Sequence, residues 1–160
     1  MGRVQSVRLY TEHYRLLAST ESPLADRESV TWQEVGHMPL CLLTPDMQNR
    51  RIIDAQLREA GVDLVPRLES YSVIVLIAHV RTGKWTSVMP ARLADVVGVS
   101  KNVRSIPIVD PVVKHSIGLV VPHRYPLTPL INALVAEAKQ LVPVLEGIAS
   151  AKTLEETLSA

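Results

Sequence analysis

The residues with the best claim to chemistry lie in the stretch Leu43-Thr44-Pro45-Asp46. An apolar run from Leu40 to Thr44, bounded by Pro39 and Pro45, reads as a buried strand. A helix follows from about Met47 to Ala60, with Asp46 as its expected cap. Where a strand end turns into a helix start, free backbone N–H groups are available to bind anions. Thr44 adds a hydroxyl that can donate or accept a hydrogen bond, whereas the Asp46 carboxylate would oppose an anionic ligand. On local sequence alone the same residues are also an ordinary N-terminal loop. A second stretch, Trp85 to Pro90, reads by itself as a buried core strand that Pro90 stops.

Other chemistry-bearing residues lack partners at useful spacing. Cys41 is the only cysteine, so no intramolecular disulfide can form, and a buried strand cysteine behaves as a small hydrophobe. His13, His37, His79, His115 and His123 show no HExxH or paired ligand spacing, so no metal or other cofactor is expected. There is no Gly-x-Ser-x-Gly elbow and no phosphate loop. Glu155 and Glu156 lie in a charged tail and read as solvated, as do Arg50, Arg51 and Arg58 on the helix after Asp46. No enzyme is expected from this pattern.

The elements that position these residues carry clear punctuation. Tyr14 to Ser19 reads as a strand, and Thr31-x-x-Glu34 matches a capping box for a short helix that Gly36 ends. Ile53, Leu57 and Ala60 recur at spacings of four and three on one helix face, and Gly61 is the stop. Val62 to Leu68 reads as a strand. Leu68 to Thr82 is the longest apolar block; its β-branched residues favour a strand, but Ser70 or Ser72 as a cap and Gly83 as a stop favour a helix. A short helix is expected from Pro90 to Val96, ended by Gly98. Val103 to Val109 reads as a strand that Pro107 places at an edge or an exit, and Ser116 to Val121 as another. Thr128-Pro129 opens an amphipathic helix that Pro143 ends or kinks, and Thr153-x-x-Glu156 is a possible capping box in the tail. Strands alternating with helices from Leu40 to Val109 argue for α/β layering around a mainly parallel sheet.

The chain has 160 residues, 47% hydrophobic and 21% charged, which suits a globular domain or two small lobes. The 17 basic and 16 acidic residues balance, so there is no general electrostatic reason to bind DNA or an anionic membrane. The N-terminus shows no apolar signal core, and the longest apolar run, about Val73 to Val80, falls far short of a bilayer. A cytoplasmic protein is the expectation.

Four pieces in order then suggest a family: Ser22 to Ala25, Leu40 to Pro45, Arg58 to Val62, and Gly83 to Pro90. Together with the closing Ser116 to Pro129, they resemble the effector-binding domain of LysR-type transcriptional regulators over about Leu9 to Leu141. The resemblance implies a periplasmic-binding-protein-like (type II) α/β fold: two lobes joined by crossing strands near Tyr14–Ala18 and His115–Val121. It implies a complete second lobe over residues 14–121 and a first-lobe closing helix over 122–143. Residues 1–13 would be an extension and 144–160 a tail. A small-molecule effector would sit in the cleft, with Thr44, Pro45, Asp46 and Trp85 as binding residues. Trp85 stands where many members carry a second glycine.

The same resemblance frames the partners. The N-terminal helix-turn-helix and the first half of the first lobe have no counterpart here, so DNA would be reached only through that missing domain. A homo-oligomer is implied, with the helix from Met47 to Ala60 and the strand after it on a face where one copy's second lobe meets the other's first. Some relatives sense oxidants through cysteines, but Cys41 has no second cysteine to pair with. Besides an effector-sensing regulatory fragment, two other readings stand: a self-associating module through the apolar face of Leu130 to Val142, and a small-solute-binding protein.

Overall fold

The computed structural model describes residues 3–96, 102–123 and 126–146. The expected stop at Gly98 and the Thr153-x-x-Glu156 capping box lie outside them. The chain divides into two compact units, Met1–Glu12 with Lys114–Ala160, and His13–Val113.

The larger unit is a sheet covered on both faces. Its centre is β1 (Val4–Ser19), flanked antiparallel by β5 (Ser87–Pro90) and β6 (Val103–Val109). Tyr14 stands opposite Pro90, and Leu16 opposite Ile106. β2 (Val30–Thr31) adds parallel to β6. β3 (Cys41–Leu43) and β4 (Leu68–Ser70) pair parallel with each other, and a parallel bridge from Leu40 to Thr86 joins β3 to the start of β5. The order is therefore β2-β6-β1-β5-β3-β4, with β1 running against the rest.

Successive strand residues point to opposite faces, and the two cores follow that rule. Leu16, Leu42 and Val88 join Trp32 and Val35 of α1 (Trp32–Gly36) and Ile53 and Leu57 of α2 (Gln48–Glu59). Leu17, Cys41, Leu43 and Met89 face the other way, towards Leu76, Ile77 and Val80 of α3 (Val73–Arg81) and Ala94 of α4 (Ala91–Val96). Each large residue buried there contributes about 1.5–3 kcal/mol as an upper bound. Trp32 is fully buried and donates its Nε1–H to the carbonyl of Pro111 at 3.2 Å.

Several expectations need correction. The strand expected from Tyr14 begins at Val4, because alternation continues through polar residues on an exposed half. Val62 to Leu68 is not a strand; only Leu68–Ser70 pairs, next to β3. The apolar block thus opens as β4, and the helix begins after Ser72, whose hydroxyl accepts from the N–H of Val75 at 3.4 Å. Thr86 bridges to Leu40 and β5 proper starts at Ser87, two residues later than expected, with Pro90 as its last residue. Pro107 sits inside the sheet. It faces Arg15 of β1, and two-residue β2 reaches only Ile108 and Val109, so no partner on that side needs its missing N–H.

Other signals hold. The Thr31–Glu34 capping box forms, with both reciprocal bonds present at 3.1 and 2.7 Å. Gly61 and Gly83 adopt φ of +78° and +75°, the left-handed ends their helices require.

In the smaller unit, β7 (Lys114–Pro122) pairs with β1. The chains approach closely at Gly118, where any Cβ would strike the Val7 carbonyl. α5 (Pro129–Gln140) starts from the Thr128 cap as expected, and Pro143 opens the short α6 (Val142–Leu145). No residue of α5 is buried, and Leu130 is 80% exposed.

Candidate functional site

In the larger unit all strands but β1 end at one edge, the place where open α/β sheets take ligands. Extending the register of β3 puts Thr44 level with Pro90 of β5 and Tyr71 after β4, while Tyr14 of β1 faces Pro90. The row Tyr14, Pro90, Thr44, Tyr71 thus crosses the sheet at its carboxyl edge.

Two adjacent arginines fix the Thr44 loop. Arg50 Nη1 donates to the Leu43 carbonyl at 2.7 Å. Arg51 donates to the Pro45 carbonyl at 3.4 Å and the Asp46 carbonyl at 3.2 Å. The Met47 N–H donates to the carbonyl of Thr44 at 3.0 Å. All four loop carbonyls are therefore occupied. Two kinds of donor remain. The first-turn N–H groups of α2 have no carbonyl a turn behind them, and no side chain caps them. The Thr44 hydroxyl oxygen is closed off from solvent and has no hydrogen-bond partner.

Asp46 is not the cap that its type suggests. Met47 occupies that position in extended conformation, and the exposed Asp46 gives its backbone carbonyl to Arg51 instead. Arg50 is not solvated either. It is 4% exposed and forks between Asp54 at 2.7 Å and Glu69 at 2.5 Å. Burial disfavours its charge, but the two carboxylates outweigh burial and hold its pKa above the ordinary guanidinium value. Asn49 accepts from the Tyr14 hydroxyl at 3.3 Å, tying the helix start to β1.

The structure keeps Thr44, Pro45 and Asp46 together and separates Trp85 from them. By the parallel bridge, Trp85 lies level with Pro39, at the opposite end of the strands, about 16 Å along the sheet from the level of Thr44. It packs beside the Leu76 cluster and meets His79 edge-on, with ring centroids 6.4 Å apart. Sequence reasoning missed Arg50 and Arg51 as loop clamps. The signal was present: Arg50, Ile53 and Leu57 share one helix face, and Asp54 stands four residues on.

Cys41 is buried in β3, its thiol pushed from 9.0 up to about 11 by burial. Among the described residues no group of three or more His, Cys, Asp or Glu could hold a metal ion, and no helix is long and apolar enough to cross a membrane.

Against known proteins, residues 1–143 match the family model described as the LysR substrate binding domain. The chain belongs to this family. Its α/β fold is therefore the periplasmic-binding-protein-like type II fold of LysR effector-binding domains. A probable nitrogen assimilation transcriptional activator of Synechococcus elongatus is 31% identical over 88 residues, 54% of this chain and 28% of that protein. Two solved structures share the fold. The effector binding domain of QuiR in complex with shikimate has TM-score 0.70 at 17% identity, over 89% of this chain and 67% of that one. The regulatory domain of CcmR from Synechocystis in complex with 2-PG has TM-score 0.73 at 12% identity, over 88% and 68%.

Proposed function

We propose that this LysR-family chain senses a small organic anion at the carboxyl edge of its larger unit, as the effector-binding part of a transcription regulator. The larger unit, His13–Val113, is the core of the second lobe expected over residues 14–121, and the Thr44–Asp46 loop with the first turn of α2 contacts the effector. One observation carries the reading: the Thr44 hydroxyl is sealed from solvent and unpartnered beside an uncapped helix start. Burying a hydroxyl without a partner costs about 1–3 kcal/mol. A ligand oxygen there would accept from the helix N–H groups, and from the hydroxyl once a turn about χ1 brings it out of its enclosure. QuiR with shikimate, a carboxylate, gives the chemical class a precedent on the same fold.

Trp85 stands outside this site and belongs to the packing of α3. The near balance of 17 basic and 16 acidic residues gives this chain no general electrostatic pull towards DNA. Effector binding then shifts the regulator between states by its differential affinity for them. A self-associating module remains a second reading, favoured by α5 having no buried residue.

Titration calorimetry with shikimate and with 2-PG tests the site. Saturable binding of either, weakened at least about tenfold in Thr44→Val, is expected from loss of a charge-assisted hydrogen bond. Binding that survives Thr44→Val unchanged would place the effector elsewhere.

A further inference from the structure

The charges around the Thr44 loop limit which anion the start of α2 can take. Arg50 is held by two acids, Asp54 at 2.7 Å and Glu69 at 2.5 Å. Arg51 gives its donors to the carbonyls of Pro45 and Asp46, which sets its guanidinium beside the residue that carries the Asp46 carboxylate. Two cations thus stand among three anions, and the side chains of this corner carry a net charge of −1. Other cations near the edge are committed elsewhere or face away. Arg92, just past β5, pairs with Asp95 at 3.6 Å. By strand alternation Arg15 and His13 share the sheet face of Leu17, whereas Thr44 shares that of Leu42 and Tyr14.

The donors left at this corner are neutral groups. The first-turn N–H groups of α2 amount to roughly half a positive charge. Asn49 stands in that turn, and its Oδ1 accepts from the Tyr14 hydroxyl at 3.3 Å. That bond decides which end of the amide is left over: the NH2 end, which makes no hydrogen bond among the described residues. β5 closes on Pro90, which has no N–H to offer, so the α2 side must supply the donors.

We infer that this corner selects a singly charged carboxylate over a phosphate, with the Asn49 amide as a second donor to the ligand; the inference rests on reading the Thr44 loop as the effector site. One carboxylate oxygen meets the helix N–H groups and the other meets the Asn49 NH2. A phosphate ester brings about 1.5–2 negative charges at neutral pH. Helix starts that hold phosphates add a lysine or an arginine to the N–H groups. Here the nearby guanidiniums are already balanced by acids, so the second charge of a phosphate meets repulsion.

Titration calorimetry of the full chain with shikimate and with shikimate 3-phosphate tests this, because the two share a ring and a carboxylate and differ by one phosphate. Shikimate should bind at least about tenfold tighter, and Asp46→Lys, at an exposed position, should narrow that gap at least about threefold. Asn49→Asp keeps the acceptor for Tyr14 and exchanges the NH2 for an anionic oxygen. It should weaken shikimate at least about tenfold without lowering the melting temperature, since an acid suits the first turn of a helix. A chain that binds the phosphorylated acid as tightly as shikimate, or that binds neither, overturns the proposal. So does a gap that Asp46→Lys leaves unmoved. Shikimate binding weakened by Thr44→Val but untouched by Asn49→Asp overturns the part given to Asn49 and leaves the site standing. Binding that ignores both substitutions overturns the site as well.

Discussion

Replacing Thr44 by valine separates stability from recognition. The two side chains have nearly the same shape, and both are β-branched, so backbone preference is unchanged. What disappears is a hydroxyl whose oxygen is sealed from solvent and bonded to nothing. Leaving such a group unpaired costs about 1–3 kcal/mol. Thr44 as a whole is only partly buried, which puts the gain at the low end, about 1 kcal/mol. For a chain of this size that raises the melting temperature by about 2–4 °C. Calorimetric melting checks the gain, and titration with shikimate or 2-PG checks the matching loss of binding. A residue kept for a ligand at the expense of the empty fold should show both effects. Thr44→Val that melts lower than the parent would refute the reasoning, because it would mean that the hydroxyl already has a partner.

Three further outcomes follow from the geometry. Arg50→Met removes the fork to Asp54, Glu69 and the Leu43 carbonyl; because the two acids are 27% and 38% exposed, the loss should be about 2 kcal/mol in urea unfolding, short of the 3–5 kcal/mol typical of a sealed pair. Cys41 should stay unmodified by a thiol reagent at pH 8 until the chain unfolds; its folded pKa is raised, so above pH 9 the unfolded thiol ionises while the folded one does not, and stability declines as pH climbs towards 11. Gly118→Ala drives a methyl into the Val7 carbonyl, and β7 amides should exchange at least about tenfold faster while those of β5 and β6 keep their protection.

Local chemistry was the legible part of this chain. Thr31 with Glu34, Thr128 with Pro129, and the two left-handed glycines each act within a turn of themselves, so the letters suffice. The core of the larger unit followed from alternation and from Ile53 and Leu57. Misreadings arose wherever a distant partner decides. Val62 to Leu68 alternates like a strand, yet only residues facing β3 pair. Asp46 looks like a cap, yet Arg51 takes its carbonyl and the helix starts one residue later. Arg50 reads as surface until Glu69, nineteen residues on, is brought beside it by β4. At the candidate site, the Thr44 loop was visible as a strand-to-helix junction. The family resemblance grouped Trp85 with it, and only the parallel bridge between Leu40 and Thr86 shows that the two flank opposite ends of the strands.

The lone reversed strand at the centre of the sheet also sets a schedule for synthesis. Arg15 emerges early, but its partner Pro107 comes about 90 residues later, and at about 5–20 residues per second that is a wait of roughly 5–18 seconds. The apolar Leu16 and Leu17 have no ladder on either side until β5 follows, about 70 residues after Leu17, and the β6 side stays open longer still. Low-order local contacts cannot shorten the interval, because the pairing is long-range by design of the topology. The nascent chain thus exposes this central strand before its partner strands can cover it, and a holding chaperone would find its purchase there.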